Sequence, residues 1–251
     1  MRKLVCFTLI SLAAFSLKCA AADTAVTVTT GAGYIPVVKK IVGVCKARHN
    51  APAVESYGGN IGQMLAQVAA GSGVNVIITD KTTIERIKTS VRFSAKQPLG
   101  TTPLVLIWKK GLTIEKPEDI AAAGIKSIAI PDPKAAVYGR AGSQWISNQN
   151  NAALNSKLMQ VASVPQVAGY VARAEVDVGF VNIQAARKGL KNFGGMFVLD
   201  SGYDPIELQA LVVEGNENAP SVQKFLACLR SSDIAEVLKD SGVTPSSTNK
   251  P

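Results

Sequence analysis

Two glycine-rich loops are the segments of this sequence that could bind a ligand through their own backbone. The first, residues 30–33, follows an alternating run at residues 26–29, and the second, residues 58–62, follows a possible strand at residues 54–57. Each loop precedes apolar residues at helical spacing, so each is predicted to open a helix. The first N–H groups of a helix are unpaired and lie at the positive end of its dipole. Taken singly, either loop could be a simple turn, but two helix starts facing one cleft would bind an anion.

Other chemistries find little support in the sequence. Neither loop has the third glycine of a dinucleotide site or a following Gly-Lys-Ser/Thr. The chain contains one histidine, His49, in a polar turn, which excludes a multi-histidine metal site. The serines lack a nucleophile-elbow context, and the cysteines lack metal-ligand spacing. We therefore expect no enzyme activity, no metal and no cofactor.

The N-terminal segment is typical of a secretory signal peptide. Two early cations precede an apolar run at residues 4–17, and three alanines end at Ala22 before an aspartate. The run is too short to span a bilayer comfortably, which favours export over a membrane anchor. Lys18 does not fit the lipobox position before Cys19. We expect an unlipidated periplasmic monomer, cleaved near Ala22.

Charge and cysteine content restrict the partners and the redox state. The chain of 251 residues has 27 Lys and Arg against 18 Asp and Glu, a formal charge of +9, part of which is lost with the signal peptide. It lacks the basic blocks with interleaved aromatics of a nucleic-acid surface. The mature chain keeps Cys45 and Cys228, which predicts one disulfide worth about 4 kcal/mol. Two buried free thiols are the alternative.

The elements that position the loops alternate between strand and helix. Further strands are predicted at residues 54–57, 74–79, 104–108, 127–130, 176–181, 196–199 and 208–213. Further helices are predicted at residues 80–88, 139–148, 164–173, 220–229 and 233–239. This order indicates an α/β fold with mainly parallel sheets flanked by helices. In such folds ligands bind at the carboxyl ends of strands, where the glycine loops lie.

Several segments carry a family resemblance, in the family's order. Residues 132–141, Asp-Pro-Lys-Ala-Ala-Val-Tyr-Gly-Arg-Ala, are similar to a family segment Asn-Pro-Lys-x-Ala-Pro-Tyr-Gly-x-Ala. Residues 178–181 resemble its Leu-Gly-Phe-Val strand, and residues 211–215 resemble its returning strand. On these segments the chain resembles the molybdate-binding periplasmic proteins, the solute-binding subunits of molybdate ABC importers.

The resemblance implies a two-lobed periplasmic-binding-protein fold, the Venus flytrap. Residues 1–22 are the signal peptide, residues 23–101 plus 207–251 form lobe I, and residues 102–206 form lobe II. The hinge crossings are expected near residues 101–102 and 205–207. The helices that carry Cys45 and Cys228 then belong to the same lobe. A membrane permease is the implied partner.

In the family, neutral donors hold an oxyanion between the lobes. Carried over position by position, they give the predicted ligand-binding set Thr30, Gly31, Ala32, Gly33, Gly59, Asn60, Ile61, Tyr138, Gly139, Val164 and Asn182. The family's serine and tyrosine donors are replaced here, for example by Gly33 and Asn182. The expected donors are therefore backbone N–H groups and the side-chain amides of Asn60 and Asn182.

Three functions are compatible with these observations. The first is the binding of molybdate, or a related tetrahedral oxyanion such as tungstate, for an ABC importer. The second is the same fold adapted to a larger anionic or organic solute. The third is an exported accessory or interaction protein without oxyanion binding.

Overall fold

The computed structural model describes residues 25–57, 59 and 61–247 of the chain. The predicted signal peptide and Asn60 lie outside the described residues. The strands are β1 (Val26–Thr30), β2 (Ala53–Glu55), β3 (Val76–Asp80), β4 (Phe93–Thr102), β5 (Leu104–Lys109), β6 (Ile128–Pro131), β7 (Leu158–Val161), β8 (Val178–Asn182), β9 (Phe193–Leu199), β10 (Ile206–Val213) and β11 (Thr244–Pro245). The helices are α1 (Ile35–Arg48), α2 (Ile61–Ala69), α3 (Lys81–Arg86), α4 (Val137–Asn148), α5 (Ala152–Asn155), α6 (Val164–Ala172), α7 (Ile183–Gly189), α8 (Pro220–Leu229) and α9 (Ser232–Asp240). Short 3-10 helices cover Ala32–Tyr34, Pro117–Ala121 and Leu190–Asn192.

These elements form two β-sheets. The first sheet has the order β11-β4-β10-β3-β1-β2, and the second has the order β7-β6-β8-β5-β9. Helices α1, α2, α3, α8 and α9 accompany the first sheet, and α4 to α7 accompany the second. We call each sheet with its helices the first half and the second half of the molecule. Strands and helices alternate along the chain, as the sequence predicts for an α/β fold.

Each sheet is mixed rather than parallel throughout. In the first sheet β2, β1 and β3 are parallel, and in the second β7, β6 and β8 are parallel. The antiparallel strands are those next to the crossings between the sheets. The chain leaves the first sheet on β4 and returns on β10, so these neighbours run in opposite directions, as do β5 and β9. The parallel part of each sheet supplies the loops that open α1, α2, α4 and α6.

The two crossings lie side by side. Pro103 alone separates β4 from β5, and residues 200–205 connect β9 to β10. Ile206 is paired with Thr102 at one end of this junction, and Leu104 with Leu199 at the other.

A disulfide joins two distant parts of the first half. Cys45 on α1 and Cys228 on α8 are bonded, with a Cα–Cα distance of 5.7 Å and a sequence separation of 183 residues. Both residues are buried, and α1 contributes Val38 and Ile41 to the same core. The pairing agrees with the prediction. Within the described part of the chain, no helix has the length and apolar character needed to cross a membrane.

Candidate functional site

Helix starts from both halves converge on one small cavity of about 50 Å³. The first half lines it with Gly31, Ala32, Gly33, Tyr34, Ile61 and Thr79. The second half lines it with Ala135, Ala136, Val137, Tyr138, Ala162, Ser163 and Val164. These residues belong to the loops that open α1, α2, α4 and α6, at the carboxyl ends of parallel strands.

Backbone N–H groups are the most numerous donors at this cavity. In the described part of the chain, the amides of Ala32, Gly33, Val137, Tyr138 and Val164 have no hydrogen-bond acceptor. This follows from their positions at the starts of helices, where no preceding turn exists. The dipoles of the helices add a positive potential at the same ends. The cavity therefore presents unpaired donors from two sides.

Four residues with a hydroxyl group also line the cavity, Tyr34, Thr79, Tyr138 and Ser163, and the sequence identified only Tyr138. Tyr34 is 3% exposed, and its Oη makes no hydrogen bond of good geometry to any described residue. Ser163 is the N-cap residue of α6, but its side chain does not cap the helix. The signal for Ser163 was its place immediately before the predicted helix. Tyr34 follows the first glycine loop, one residue beyond the segment that was assigned to the site.

Among the described residues, the two tyrosines are the only ionisable side chains that line the cavity. Burial raises the pKa of Tyr34 well above its usual range, and the nearby Tyr138 and Asp80 raise it further, whereas Arg140 lowers it. Burial also raises the pKa of Tyr138. Both phenols consequently remain protonated at neutral pH.

The structure brings together six of the predicted site residues. Gly31, Ala32, Gly33, Ile61, Tyr138 and Val164 all line the cavity. Thr30 does not, because it is buried in β1 and its hydroxyl donates to the Ile78 carbonyl at 2.6 Å. Gly59 lies before α2 with a φ of 71°.

Gly139 has a packing role next to the cavity. A Cβ at this position would lie 2.1 Å from the Pro131 carbonyl oxygen. Glycine therefore lets the first turn of α4 approach the end of β6 closely. This close approach places Val137 and Tyr138 at the cavity wall.

Asn182 connects the two halves next to the cavity rather than lining it. Its Nδ2 donates to the Gly33 carbonyl at 2.8 Å, and its Oδ1 accepts from the Ala185 amide at 2.7 Å, which caps α7. It lines a neighbouring groove instead. Asn182 thus holds the first glycine loop against the second half, and its direct contact with a ligand stays a prediction.

This groove is larger and opens from the same place. It has a volume of about 430 Å³ and shares Ala32, Gly33 and Val164 with the small cavity. Its walls include Ala168, Gly169, Ala172 and Ala185, and Lys188 is its one cationic lining residue. A ligand larger than a tetrahedral ion could extend into it.

Comparison with known proteins agrees with this architecture. The family model for bacterial extracellular solute-binding proteins matches residues 26–244, and the chain belongs to this family. The molybdate-binding protein ModA of Azotobacter vinelandii is 26% identical over 240 residues, which cover 93% of this chain and 95% of that protein.

Two solved structures show the same fold at lower identity. The periplasmic molybdate-binding protein of Azotobacter vinelandii superposes with a TM-score of 0.73 at 22% identity, covering 87% of this chain and 98% of that one. PEB3 bound to L-phospholactate, a Campylobacter jejuni protein, superposes with a TM-score of 0.69 at 15% identity, covering 86% and 98%. The fold is therefore that of the periplasmic solute-binding proteins, and family membership implies a location outside the cytoplasm.

Proposed function

We propose that this solute-binding protein binds a small tetrahedral oxyanion, molybdate or tungstate, in the cavity between its two halves. We further infer that the halves are the lobes at residues 23–101 plus 207–251 and residues 102–206. The monomer would deliver the anion to the permease of an ABC importer. The observation that supports this most strongly is a cavity of about 50 Å³, lined by helix starts of both halves and, within the described part of the chain, by no charged side chain.

Size is the first argument for this ligand class. Pockets for drug-sized organic molecules have volumes of roughly 300–1,000 Å³. A volume near 50 Å³ holds a few atoms the size of water, which suits an ion of five atoms. An amino acid or a sugar would need the halves to separate or would extend into the groove.

Donor chemistry is the second argument. An oxyanion accepts hydrogen bonds and donates none when fully ionised, and the cavity offers unpaired amides together with Tyr34 and Ser163. Hydrogen bonds to a charged acceptor are shorter and stronger than neutral ones. The amides are fixed by the helices, so little entropy is lost when they bind. Neutral donors can therefore hold an anion without an opposing charge.

The two hydroxyls provide the direct test. We expect Tyr34→Phe and Ser163→Ala each to weaken molybdate and tungstate binding about tenfold, since one hydrogen bond to a charged group is lost. Isothermal titration calorimetry on the mature protein measures this. Tyr170→Phe is the matched control for Tyr34, because Tyr170 lies on α6 and does not line the small cavity. Ser156→Ala is the control for Ser163, because the Ser156 hydroxyl bonds the Ala153 carbonyl.

Two results would contradict the proposal in different ways. A wild-type protein that binds neither anion at millimolar concentration rules out the oxyanion function. If the wild type binds and all four variants bind equally well, the anion is held elsewhere.

The neighbouring groove supports a second candidate, an organic anion. Its oxyanion group would occupy the small cavity, and the remainder of the molecule would lie along the groove towards Lys188. Titration with a small phosphate monoester and with inorganic phosphate distinguishes the two candidates. Tighter binding of the ester, weakened by Ala168→Phe in the groove wall, would favour the organic ligand.

A further inference from the structure

A buried ion pair connects the two halves beside the small cavity. Asp80 ends β3 in the first half, and Arg140 lies on α4 in the second half. The Arg140 Nη2 donates to the Asp80 Oδ1 at 2.7 Å, and its Nη1 donates to the Thr83 hydroxyl at 2.9 Å. The Asp80 side chain is 1% exposed and that of Arg140 is 16% exposed. One guanidinium thus joins α4 to the start of α3.

This pair differs from the other ion pairs among the described residues. The others link groups of the same half, apart from Arg86 with Asp204, whose acid lies in the crossing between β9 and β10. Arg86 and Asp204 are also both at least half exposed. Surface pairs of that kind contribute little to stability. Within the described part of the chain, only the Asp80–Arg140 pair links the two halves directly with little exposure to solvent.

The carboxylate depends on its partner. The Asp80 Oδ1 also accepts from the Thr83 amide at 2.9 Å, and its Oδ2 has no hydrogen-bond partner among the described residues. An ionised carboxylate with one unpaired oxygen is costly to bury, and loss of its cation would make it more so. Separation of the halves would give both groups access to water. The pair therefore favours the observed contact between the halves.

The pair is close to the proposed ligand site. Arg140 lies on the first turn of α4, after Val137 and Tyr138, which line the small cavity. Thr79, which precedes Asp80, also lines the cavity. The first turn of α4 thus carries both the cation of the ion pair and two residues that line the cavity.

We propose that Arg140 is a positioning residue, which holds the halves closed by pairing with Asp80 and so slows release of the bound solute. The inference rests on the proposed function, because it assumes that a solute is enclosed between the halves. Arg140 does not touch the solute. It acts by raising the population of the closed arrangement in which α4 completes the cavity. Release from a closed cleft requires opening, so the effect appears mainly in the dissociation rate.

Three substitutions test this. Arg140→Met keeps the aliphatic stem and removes the guanidinium. Asp80→Asn removes the charge but keeps an oxygen to cap Thr83, since asparagine is a good N-cap residue. Arg140→Lys can keep a single bond to Asp80. Arg86→Met, at the exposed pair, is the matched control.

Opening is measured by the distance between spin labels on the two halves. Gln67→Cys on α2 and Ser147→Cys on α4 are exposed positions, and the disulfide occupies both cysteines of the described residues. We expect ligand-free Arg140→Met and Asp80→Asn to shift the distance distribution to longer values than the wild type. Arg86→Met should match the wild type, and Arg140→Lys should fall between.

Dissociation of molybdate or tungstate, followed by stopped flow, is the second measurement. We expect release to be about tenfold faster in Arg140→Met, and no faster in the double variant with Asp80→Asn, because residues that act as one unit are not additive. Unchanged distances and release rates in Arg140→Met would overturn the proposal. So would changes equal to those of Arg86→Met. If Arg140→Met does not fold, as judged by circular dichroism, the same two outcomes are decided by Arg140→Lys.

The two proposals fail separately. If the wild type binds no anion, the proposed function is wrong, and the label distances in the ligand-free protein still decide whether Arg140 holds the halves together. If the wild type binds and Arg140→Met releases the anion at the same rate, the ligand assignment stands and the role of Arg140 does not.

Discussion

The two halves of the molecule reach stability by different routes. The first half combines strands from both ends of the described chain, β1 to β4 with β10 and β11, and carries the disulfide between Cys45 and Cys228. The second half is continuous from β5 to β9 and contains no cysteine. Its core instead contains two aromatic pairs, Trp145 with Phe180 and Trp108 with Phe197, whose ring centroids are 5.6 and 5.0 Å apart.

The difference has a physical cause. Bringing together segments separated by a whole second half costs more chain entropy than folding a continuous segment. A crosslink between those segments removes most of that cost from the unfolded chain. The disulfide thus joins the two segments whose association costs the most chain entropy. Both tryptophans of the protein, Trp108 and Trp145, lie in the second half. Tryptophan fluorescence therefore reports on the unfolding of that half.

Loss of the disulfide should be the largest effect. For a separation of 183 residues, the chain-entropy model gives about 5 kcal/mol. We expect Cys45→Ala/Cys228→Ala to lower the midpoint of thermal unfolding by about 10–20 °C when it is followed by circular dichroism. The midpoint from tryptophan fluorescence should fall less. Equal shifts by both probes would show that the halves unfold as a single unit and that the comparison does not hold for stability.

Overpacking of the second half should come next. A Cβ at Gly179 in β8 would lie 2.4 Å from a methyl carbon of Val167 and 3.0 Å from one of Val171 on α6. We expect Gly179→Ala to destabilise the protein by about 3 kcal/mol, because α6 has to move away from the sheet. Urea unfolding followed by tryptophan fluorescence measures the change.

A glycine of the first half is the matched control for Gly179. Gly43 on α1 has no atom within 4 Å of an added Cβ and is exposed. Gly43→Ala should stabilise the protein by about 0.5–1 kcal/mol, since glycine is unfavourable inside a helix. A destabilising Gly43→Ala, or a neutral Gly179→Ala, would contradict the packing described here.

The sequence was most informative where periodicity and burial coincide. Strand β1, its glycine loop and α1 follow from alternating and helical patterns, and α6 begins at Val164, the predicted residue. By contrast, β4 was not predicted, although it is ten residues long. Its alternation of apolar and polar residues is short and is followed by Pro98 and Gly100, and it is held by pairing with β10 and β11. Pairing with neighbouring strands therefore stabilises β4 as a strand, although its local sequence does not favour one.

The candidate site was predictable as a set of loops but not as a set of side chains. Asn182 was predicted as a ligand donor from its position alone, and the sequence did not show that it caps α7 and donates to the Gly33 carbonyl. Tyr34 and Ser163 were not expected, because membership of the cavity depends on how the two halves meet. A contact between residues of different halves leaves no periodic signal in the sequence. The Asp80–Arg140 pair was missed for the same reason.

Acid should reveal the smallest difference between the halves. Burial disfavours the ionised form of Asp177 in the second half, but hydrogen bonds from Lys109 and from the amides of Lys126 and Ser127 outweigh it and lower the pKa of Asp177. Because the pKa is lower in the folded than in the unfolded state, the stabilisation is fully present above about pH 4, the pKa of an unfolded aspartate. It is lost as the pH falls through the lower, folded pKa.

We therefore expect Asp177→Asn to cost about 1.5 kcal/mol at neutral pH, the weak end of the range for a hydrogen bond to a charged group. The difference from the wild type should shrink as the pH falls below about 4. Urea unfolding at several pH values, followed by tryptophan fluorescence, measures it. Asp233→Asn is the control in the first half. The Asp233 pKa is lowered by His49 and Arg48, but these groups are at the surface, where water screens the interaction and the effect should be smaller. An Asp177→Asn variant whose stability difference does not change with pH would show that this carboxylate stabilises the second half by packing and not by charge.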